Sequence, residues 1–327
     1  MSGVANTVNG WLNGLWTLVI GVVVIAALLG VTTGMIWIER RLLARFQDRL
    51  GPNRVGPFGL LQPVADIIKL FFKEDWVPPF ADRFVFILAP AIVVVTVLLA
   101  FAVVPFVPGF VVSDANVGVL FFVAMTSLGV YSFVLAGWGS NSKYSFIGGM
   151  RAAAQLISYE LPLGLALTGI VMLAGSLRLT DIVNAQRGAW FCVLQPVGFV
   201  IFLIAGVAEA RRSPFDLPEA DSEIVAGYHT EYSSMKFALF FMGEYLDVIL
   251  ISAMVTVFYL GGWHGPFLPP IVWFVAKTGA VIFFFVWLRA VLPRLRFDQL
   301  MVFGWKWLLP VSIVNILATG AIALAVR

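Results

Sequence analysis

The stretch that decides the fold is residues 11–38, WLNGLWTLVIGVVVIAALLGVTTGMIWI, in which no side chain is charged. An α-helix rises about 1.5 Å per residue, so this stretch makes a helix longer than the roughly 30 Å hydrocarbon core of a bilayer. It is too long for a cleaved signal peptide and lacks the basic residues with which such peptides start. The stretch therefore predicts a transmembrane helix.

The composition extends this prediction to the whole chain. Of the 327 residues, 61% are hydrophobic and only 12% are charged, and the mean hydropathy is +0.96. A soluble domain is about 25% charged. These values predict an all-α polytopic membrane protein, folded as one integral membrane domain over residues 1–327. They exclude a water-soluble enzyme, a disordered chain and a disulfide scaffold, and the long apolar runs do not match the short alternating segments of a β-barrel.

Apolar runs recur along the sequence and predict eight transmembrane helices. The predicted spans lie at about 11–38, 84–107, 115–138, 152–175, 188–209, 237–260, 271–288 and 307–326. The long run at 237–276 is divided by a turn rich in glycine and proline, which reads as a hairpin loop between two spans.

Basic residues concentrate in alternate loops of this arrangement. The loops 39–83, 139–151, 209–236 and 289–306 hold 17 of the 21 lysines and arginines. Because basic residues are enriched in loops that stay on the cytoplasmic side, these four loops are predicted to face the cytoplasm. Both termini then lie on the periplasmic side.

The first of these loops contains a predicted amphipathic helix at residues 58–73. The polar residues of one face, spaced by four, three and four positions, are Gln62, Asp66, Lys69 and Lys73. Apolar residues cover the other face, and this pattern favours a helix lying in the membrane interface. The alternative is a short helix covered by neighbouring protein.

The chain offers few ligands for a metal or a redox group. A single cysteine, Cys192, cannot form an internal disulfide, a zinc site or an iron–sulfur cluster. The two histidines, His229 and His264, lie outside the apolar runs. No glycine-rich motif for a dinucleotide or a nucleoside triphosphate is present. We therefore expect the chain to bind no redox cofactor of its own.

Several ionisable residues lie inside or at the ends of predicted spans, and at a span's centre a charge costs roughly 2.5–3.5 kcal/mol on insertion scales. They are Glu39, Glu160, Glu209, Glu244, Asp247 and Lys277. Buried carboxylates can exchange protons near neutral pH because burial disfavours their charged form. The set points to a proton path. The alternative is that each acid pairs with Lys277 or an arginine and only fixes packing.

The third basic loop is dense in charges of both signs. Its acids are Glu209, Asp216, Glu219, Asp221, Glu223 and Glu231, beside Arg211 and Arg212. A run of charges is often a solvated face. Here apolar residues such as Phe215 interleave the acids and two prolines stiffen the chain, so we expect an ordered loop packed against another surface.

Several segments carry a resemblance to one family. They are 39–41 (ERR), 51–56 (GPNRVG), 62–66 (QPVAD), 73–74 (KE), 137–138 (GW), Tyr144, 155–160 (QLISYE), 214–219 (PFDLPE), 231–232 (EY), 240–245 (FFMGEY) and 293–299 (PRLRFDQ). In this order and spacing they make the chain similar, over nearly its whole length, to the H-type membrane subunits of bacterial NADH–quinone oxidoreductase, respiratory complex I, whose mitochondrial counterpart is subunit 1. The match is closer to bacterial than to mitochondrial members.

The resemblance implies a subunit that joins the membrane arm to the hydrophilic arm. It places a quinone chamber at Glu39, Arg40, Arg49, Asp66, Arg212 and Phe215, and a proton path at Glu160, Glu209, Asp216, Glu219, Asp221, Glu223 and Glu244. The chamber entrance would lie among the first and sixth spans and the amphipathic helix. Position 221 is often glutamate in the family, so Asp221, whose reach is about one methylene shorter, departs from the family pattern.

The resemblance also implies an enzyme that couples quinone reduction to proton translocation. Quinone would be the substrate, and FMN and iron–sulfur clusters would belong to partner subunits. The expected partners are the quinone-module subunits of the hydrophilic arm on the cytoplasmic side, and small and antiporter-like membrane subunits laterally, with lipid around them and no nucleic acid. The expected location is a bacterial inner membrane.

Three other functions remain open at this stage. The first is the corresponding subunit of a membrane-bound hydrogenase, which the loop at 39–73 disfavours. The second is a stand-alone cation transporter, which the absence of inverted repeats disfavours. The third is a purely structural membrane anchor, which the acids inside the spans disfavour.

Overall fold

A computed structural model describes residues 2–219 and 221–326 of the chain. In these ranges the α-helices are α1 (Ser2–Phe46), α2 (Gln62–Phe72), α3 (Arg83–Phe101), α4 (Gly118–Gly139), α5 (Lys143–Ala174), α6 (Leu179–Ala185), α7 (Phe191–Leu194), α8 (Pro196–Glu209), α9 (Asp221–Ile224), α10 (Ser234–Tyr259), α11 (Pro270–Val291), α12 (Phe297–Val302) and α13 (Leu309–Val326). Short 3-10 helices lie at Pro57–Gly59 and Gly227–His229, and a π-helical segment, Phe303–Leu308, joins α12 to α13. The described ranges contain no β-strand.

Seven helices in the described ranges are long and apolar enough to cross a membrane. They are 19–46 of α1, then α3, α4, α5, α10 and α11, and the continuous stretch 297–325. The prediction of an all-α, multi-pass membrane protein is therefore confirmed.

The predicted count of eight spans is not reproduced, because the fifth predicted span, 188–209, is not one long helix. It contains the one-turn α7 and then α8, whose 14 residues extend only about 21 Å. Pro196 lies at the first position of α8, where a proline is tolerated because its missing N–H is not needed. The preceding Gln195 instead donates a hydrogen bond to Thr319 of the last helix at 2.9 Å.

The helices extend past several predicted boundaries. α1 continues to Phe46, beyond the predicted end at 38; α5 begins at Lys143, ahead of 152; and the last helix begins at Phe297, ahead of 307. The predicted spans stopped at the first charged side chains. A helix can continue beyond that point because long basic side chains extend along it towards polar surroundings.

The four basic segments meet at one end of the bundle, which we call the basic end. The amide of Asp82 donates to Gly139 at 2.9 Å, the Ser234 hydroxyl donates to Leu70 at 3.0 Å, and the amide of Leu295 donates to Pro214 at 3.3 Å. At the opposite end Arg178 pairs with Asp114. The predicted alternation of loops is thus consistent with the fold, and the side of the membrane on which the basic end lies stays a prediction.

The helix α2 lies at the basic end beside α1 and α10. It occupies 62–72 of the predicted stretch 58–73. Ile68 and Phe71 on its apolar face are 53% and 65% exposed, so this face is available to lipid or to a partner. Its interfacial position stays a prediction.

α10 is the central helix of the bundle. In its most apolar window 72% of the residues are buried, against 17% in the last helix. Close packing around it relies on small residues, as is common in membrane bundles. A Cβ at Gly243 would lie 3.0 Å from the side chain of Val93 on α3, and one at Gly148 would lie 2.5 Å from the Tyr228 amide. Gly148 therefore lets the loop 210–233 lie directly on α5.

Candidate functional site

Two adjoining cavities lie at the basic end. The first, the charged cavity, has a volume of about 220 Å³ and is lined by Glu39, Arg40, Leu43, Arg211, Arg212, Ser213, Asp216, Glu219, Phe241, Glu244, Tyr245 and Arg289. The second, the apolar cavity, has a volume of about 490 Å³ and is lined by Leu29, Thr32, Thr33, Ile36, Arg40, Pro63, Asp66, Ile67, Lys69, Leu70, Met235, Phe237, Ala238, Leu239, Phe241 and Met242. Arg40 and Phe241 line both, so the two cavities share a wall.

Arg212 is the centre of the charged cavity. Its Nη1 lies 3.1 Å from Oε1 of Glu39, and its Nε lies 3.1 Å from Oε1 of Glu244. The Tyr245 ring faces its guanidinium group at 4.5 Å, and Arg289 also contacts Glu39. Glu39, Arg212 and Glu244 are all less than a tenth exposed. Because buried charges need partners, this network holds α1, α10, α11 and the loop after α8 together.

Arg211 turns away from its neighbour Arg212. Its φ of 54° lies in the left-handed region, which residues other than glycine rarely adopt. Its Nη2 lies 2.5 Å from Oδ2 of Asp247, and its guanidinium group lies 4.1 Å from the ring centre of Phe133. The local backbone therefore lets two consecutive arginines serve separate carboxylates on α10.

The acidic loop between α8 and α10 supplies the remaining charged wall. Asp216 pairs with Arg294 at 2.7 Å, and Tyr228 donates a hydrogen bond to Glu219 at 2.8 Å. Burial, together with the charge of Glu219, raises the pKa of Asp216 to about 6, although Arg294 acts in the opposite direction. Asp216 can therefore change its charge close to neutral pH. The expectation of an ordered, packed loop agrees with these contacts.

The boundary between the two cavities is formed by a salt bridge. Arg40 Nη1 lies 2.6 Å from Oδ2 of Asp66, and the Gln62 amide donates to the other oxygen of Asp66 at 3.0 Å. Both partners are part-exposed, so the pair contributes little to stability. Its position matters more, since it places a cation and an acid at the charged end of an otherwise apolar cavity.

A third and much smaller cavity lies deeper among the helices. Its volume of about 20 Å³ is enough for roughly one water molecule. Glu209 and Asp247 line it, together with Thr126 of α4. Oε2 of Glu209 is buried without a protein partner among the described residues, so a water there would complete its hydrogen bonding.

Several residues predicted for the site lie away from the cavities. Arg49 is exposed and donates a hydrogen bond to Gln47. Phe215 is buried against the Tyr159 ring at 5.2 Å. Glu160 lies midway along α5 beside Ser127 of α4.

Two further predicted residues lie in the same short helix, α9. Glu223 is exposed and pairs with Arg151 at 2.5 Å, so it lies at the surface of this chain. The prediction for Asp221 concerns a side chain outside the described part of the structure.

Six residues line the charged cavity that the sequence did not predict for the site: Leu43, Arg211, Ser213, Phe241, Tyr245 and Arg289. Arg211 and Tyr245 adjoin the predicted Arg212 and Glu244, so neighbourhood in the sequence was the available signal. Arg289 meets Glu39 across 250 positions of sequence, and no local pattern indicates such a pairing.

The charged cavity contains donors and acceptors that lack protein partners within the described ranges. They include Oε2 of Glu39, Nη2 of Arg212 and Oδ1 of Asp216. A water occupies about 30 Å³ of liquid, so the cavity has room for several. Such a site can exchange protons among its carboxylates through water, and its guanidinium groups can donate to the oxygen atoms of a polar ligand.

Comparison with known proteins gives a consistent result. A family model described as NADH dehydrogenase matches residues 18–320. The H-type subunit of NADH-quinone oxidoreductase from Methylococcus capsulatus is 59% identical over 90% of this chain and 94% of its own length. The H-type subunit numbered 1 from Geobacter metallireducens is 59% identical over 88% and 90%, and the one numbered 2 from Syntrophobacter fumaroxidans is 55% identical over 91% and 93%.

The range matched by the family model runs from within α1 to within α13 and spans the positions that line the three cavities. The chain belongs to the NADH dehydrogenase family, among the H-type membrane subunits of NADH-quinone oxidoreductase.

Proposed function

We propose that this chain walls the membrane side of a quinone-reduction chamber in NADH–quinone oxidoreductase. The observation that carries the proposal is the shared wall of the two cavities at Arg40. A quinone has a long apolar tail and a head with two carbonyl oxygens. The apolar cavity suits the tail and the charged cavity, with its arginine donors, suits the head.

The position of the apolar cavity supports entry from the bilayer. It lies between α1, α2 and α10, the elements among which the family resemblance implies the chamber entrance. Two of its lining residues, Leu29 and Ile67, are 37% and 46% exposed on the apolar surface of the chain. A quinone tail would pass between them without leaving apolar surroundings.

The surface at the basic end supports docking of the hydrophilic arm. Leu50 and Phe58 there are 86% and 71% exposed, beside the exposed Arg45 and Arg49. Large apolar side chains exposed beside charges are typical of an interface. In this proposal the partner subunits of the arm cover this surface and carry the FMN and iron–sulfur clusters that deliver electrons, and the assembly lies in a bacterial inner membrane.

The apolar cavity can be filled to test the proposal. Ala238 lines it from α10, and Ala238→Trp would occupy space that the quinone tail needs. We expect a KM for long-tailed quinone raised about tenfold or more, with NADH oxidation by soluble hexacyanoferrate(III) unchanged, because that acceptor takes electrons from the hydrophilic arm. Ala280→Trp, on an exposed position of α11, is the matched control. An unchanged KM in an assembled Ala238→Trp enzyme would refute the proposed chamber.

The second part of the proposal is that buried carboxylates of this chain carry protons. The acids of the charged cavity, the pair of Glu209 and Asp247 at the small cavity, and Glu160 on α5 form three groups spread through the bundle. Charge changes on quinone reduction would alter the protonation of the nearest group and then of the others. Partner subunits would receive the protons laterally.

Glu160→Gln tests this second part. We expect loss of most proton pumping per NADH oxidised, because the amide keeps the size of the side chain and cannot exchange a proton. Pumping would be followed by the quenching of a pH-sensitive dye in membrane vesicles. Unchanged pumping would remove Glu160 from the path and leave the chamber proposal intact.

A further inference from the structure

The hydroxyl group of Ser127 has two acceptors. Ser127 lies on α4, where its Oγ is 2.9 Å from the carbonyl oxygen of Val123, and it also contacts the carboxylate of Glu160 on α5. A serine hydroxyl has one proton to donate and two lone pairs to accept with. It can therefore donate to only one of the two at a time.

This arrangement differs from that of other hydroxyl groups on the same helices. Thr168 of α5 donates to the carbonyl of Gly164, four positions earlier, at 2.9 Å, and Ser132 of α4 donates to Ala89 of α3 at 2.7 Å. Such bonds to backbone carbonyls are the ordinary way to satisfy a hydroxyl in an apolar helix. Ser127 makes one of them and in addition reaches an ionisable side chain.

The helix that carries Glu160 is fixed on another side. Tyr159 donates to the Leu300 carbonyl at 3.0 Å, and the Trp305 indole donates to the Ser158 hydroxyl at 3.0 Å. These bonds tie α5 to the last helix around its π-helical segment. α5 therefore cannot easily rotate to give Glu160 a different partner, so adjustment to its charge falls to the hydroxyl of Ser127.

We propose that Ser127 is a positioning residue for Glu160 that satisfies both protonation states by turning its hydroxyl. When Glu160 is a carboxylate, the Ser127 O–H donates to it. When Glu160 takes up a proton, the new carboxyl O–H donates to the Ser127 oxygen, and the Ser127 proton turns to the Val123 carbonyl. Ser127 neither gains nor loses a proton in this exchange.

Thr126 lies between the Ser127–Glu160 contact and the small cavity. Its hydroxyl donates to the same Val123 carbonyl at 2.9 Å, and it lines the cavity that holds Glu209 and Asp247. The carbonyl oxygen of Val123 has two lone pairs and can accept from both hydroxyls at once. Through this shared acceptor Ser127 lies next to the residues that surround Glu209.

The proposal rests on the role of Glu160 in the proton path, so its test separates the two. Ser127→Ala removes the donor, and Ser127→Thr keeps a hydroxyl at the same place. Ser132→Ala, on the same helix, is the matched control. All are made in the complete enzyme, and coupled turnover and pumping are measured from acid to alkaline pH, with and without Glu160→Gln in the same chain.

In Ser127→Ala we expect the pH profile of pumping to move about one unit to higher pH, a tenfold change in the proton equilibrium, because the charged carboxylate has lost its donor. Ser127→Thr should restore the profile and Ser132→Ala should not move it. The pH profile of NADH–quinone turnover should show the same shift, and in that profile, which does not depend on pumping, the shift should vanish when Glu160→Gln is present. In infrared difference spectra, the carboxyl band that Glu160→Gln removes should move to higher frequency in Ser127→Ala.

The outcomes distinguish the two proposals. If Glu160→Gln abolishes pumping while Ser127→Ala leaves both the pH profile and the infrared band unchanged, the role of Ser127 is overturned and the proton path stands. A shift of equal size in Ser132→Ala would also overturn it. If Glu160→Gln pumps normally, the path through Glu160 fails; a carboxyl band that still moves in Ser127→Ala then keeps Ser127 as the partner of Glu160, and an unmoved band overturns that role as well.

Discussion

Two buried cationic side chains at opposite ends of the bundle are stabilised by different kinds of partner. At the basic end Arg212 lies between Glu39 and Glu244, with Arg289 beside them. At the opposite end the ammonium group of Lys277 is held by the backbone carbonyls of Leu260, Gly262 and His264 at 2.6, 3.1 and 2.6 Å, and the Trp190 ring lies 4.4 Å away.

The partners of the two cations differ in whether they can take up a proton. A carbonyl oxygen is a fixed dipole that cannot take up a proton, and carbonyls at a helix C-terminus carry partial negative charge that attracts a cation. The carbonyl partners of Lys277 therefore close the end of α10 without changing their own charge. The carboxylates around Arg212 can change their charge, and they lie beside a cavity with unpartnered polar atoms. The basic end is therefore equipped to respond to a ligand.

The largest loss of stability is expected when the central cation of the charged cavity, Arg212, is removed. Arg212→Met would leave Glu39 with Arg289 alone and Glu244 without its guanidinium partner. Breaking a buried pair in this way costs about 3–5 kcal/mol. We expect little assembled enzyme in native gels and rapid thermal inactivation of what remains.

Arg296→Met is the control for that substitution, because Arg296 is 73% exposed and pairs only with nearby Asp298 among the described residues. Assembly should be normal there. Equal stability of the two variants would mean that the charges around Arg212 are solvated, and the contrast between the two ends would disappear.

The next effect is expected at Lys277. Lys277→Met removes three charge-assisted hydrogen bonds to carbonyls of the segment that follows α10, which costs about 2–3 kcal/mol. We expect a lower temperature of thermal inactivation and an unchanged KM for quinone. Lys306→Met, at an exposed position of the last helix, should change neither. A raised KM in Lys277→Met would show that the closed end also communicates with the chamber.

The sequence indicated which charged residues matter at the two ends of the bundle, but not which groups they contact. Glu39, Glu244 and Lys277 stand out because a charge inside or at the end of an apolar run is costly. The structural alternative was that each acid pairs with Lys277 or an arginine. Among the described residues Glu39, Glu244 and Asp247 contact arginines, whereas Lys277 binds carbonyls of the loop that follows α10. Which carbonyls can accept a hydrogen bond from Lys277 depends on the conformation of the chain after α10, and a hydropathy pattern does not predict this conformation.

The same limit explains the helix count. Hydropathy registers the apolar run at 188–209, but the hydrogen bond from Gln195 to Thr319, 124 positions away, allows the chain to break there and begin a shorter helix. The residues of the charged cavity came mainly from family resemblance. Their grouping into one network required the contacts of four separate segments.

The titration of Asp216 is expected to make the stability of the protein depend on pH. Its pKa of about 6 lies above the ordinary value of 3.8, so the folded state binds more protons than the unfolded state between these values. Stability is therefore fully present below about pH 4 and falls as pH rises through about 6, by up to about 3 kcal/mol. Thermal unfolding in mild detergent should show this decline.

Asp216→Asn should flatten that part of the profile, and Asp298→Asn, at a residue with a 65% exposed side chain, should not. If stability instead rose through the same window in the native chain and Asp216→Asn removed the rise, the carboxylate would be stabilised by Arg294 more than it is disfavoured by burial.

The smallest effect is expected at the opposite end, where Arg178 pairs with Asp114 in the loops between helices. The hydrogen bond from Arg178 holds the pKa of Asp114 below its usual range, against the effect of partial burial. The stability this gives is present above the ordinary pKa of aspartate and is lost as pH falls through the lowered one. Because water reaches Arg178, screening leaves little of it, and we expect Arg178→Ala to unfold at nearly the native temperature at neutral pH. A loss as large as that of Lys277→Met would mean that this exposed pair stabilises the loops of the opposite end as much as the buried lysine does.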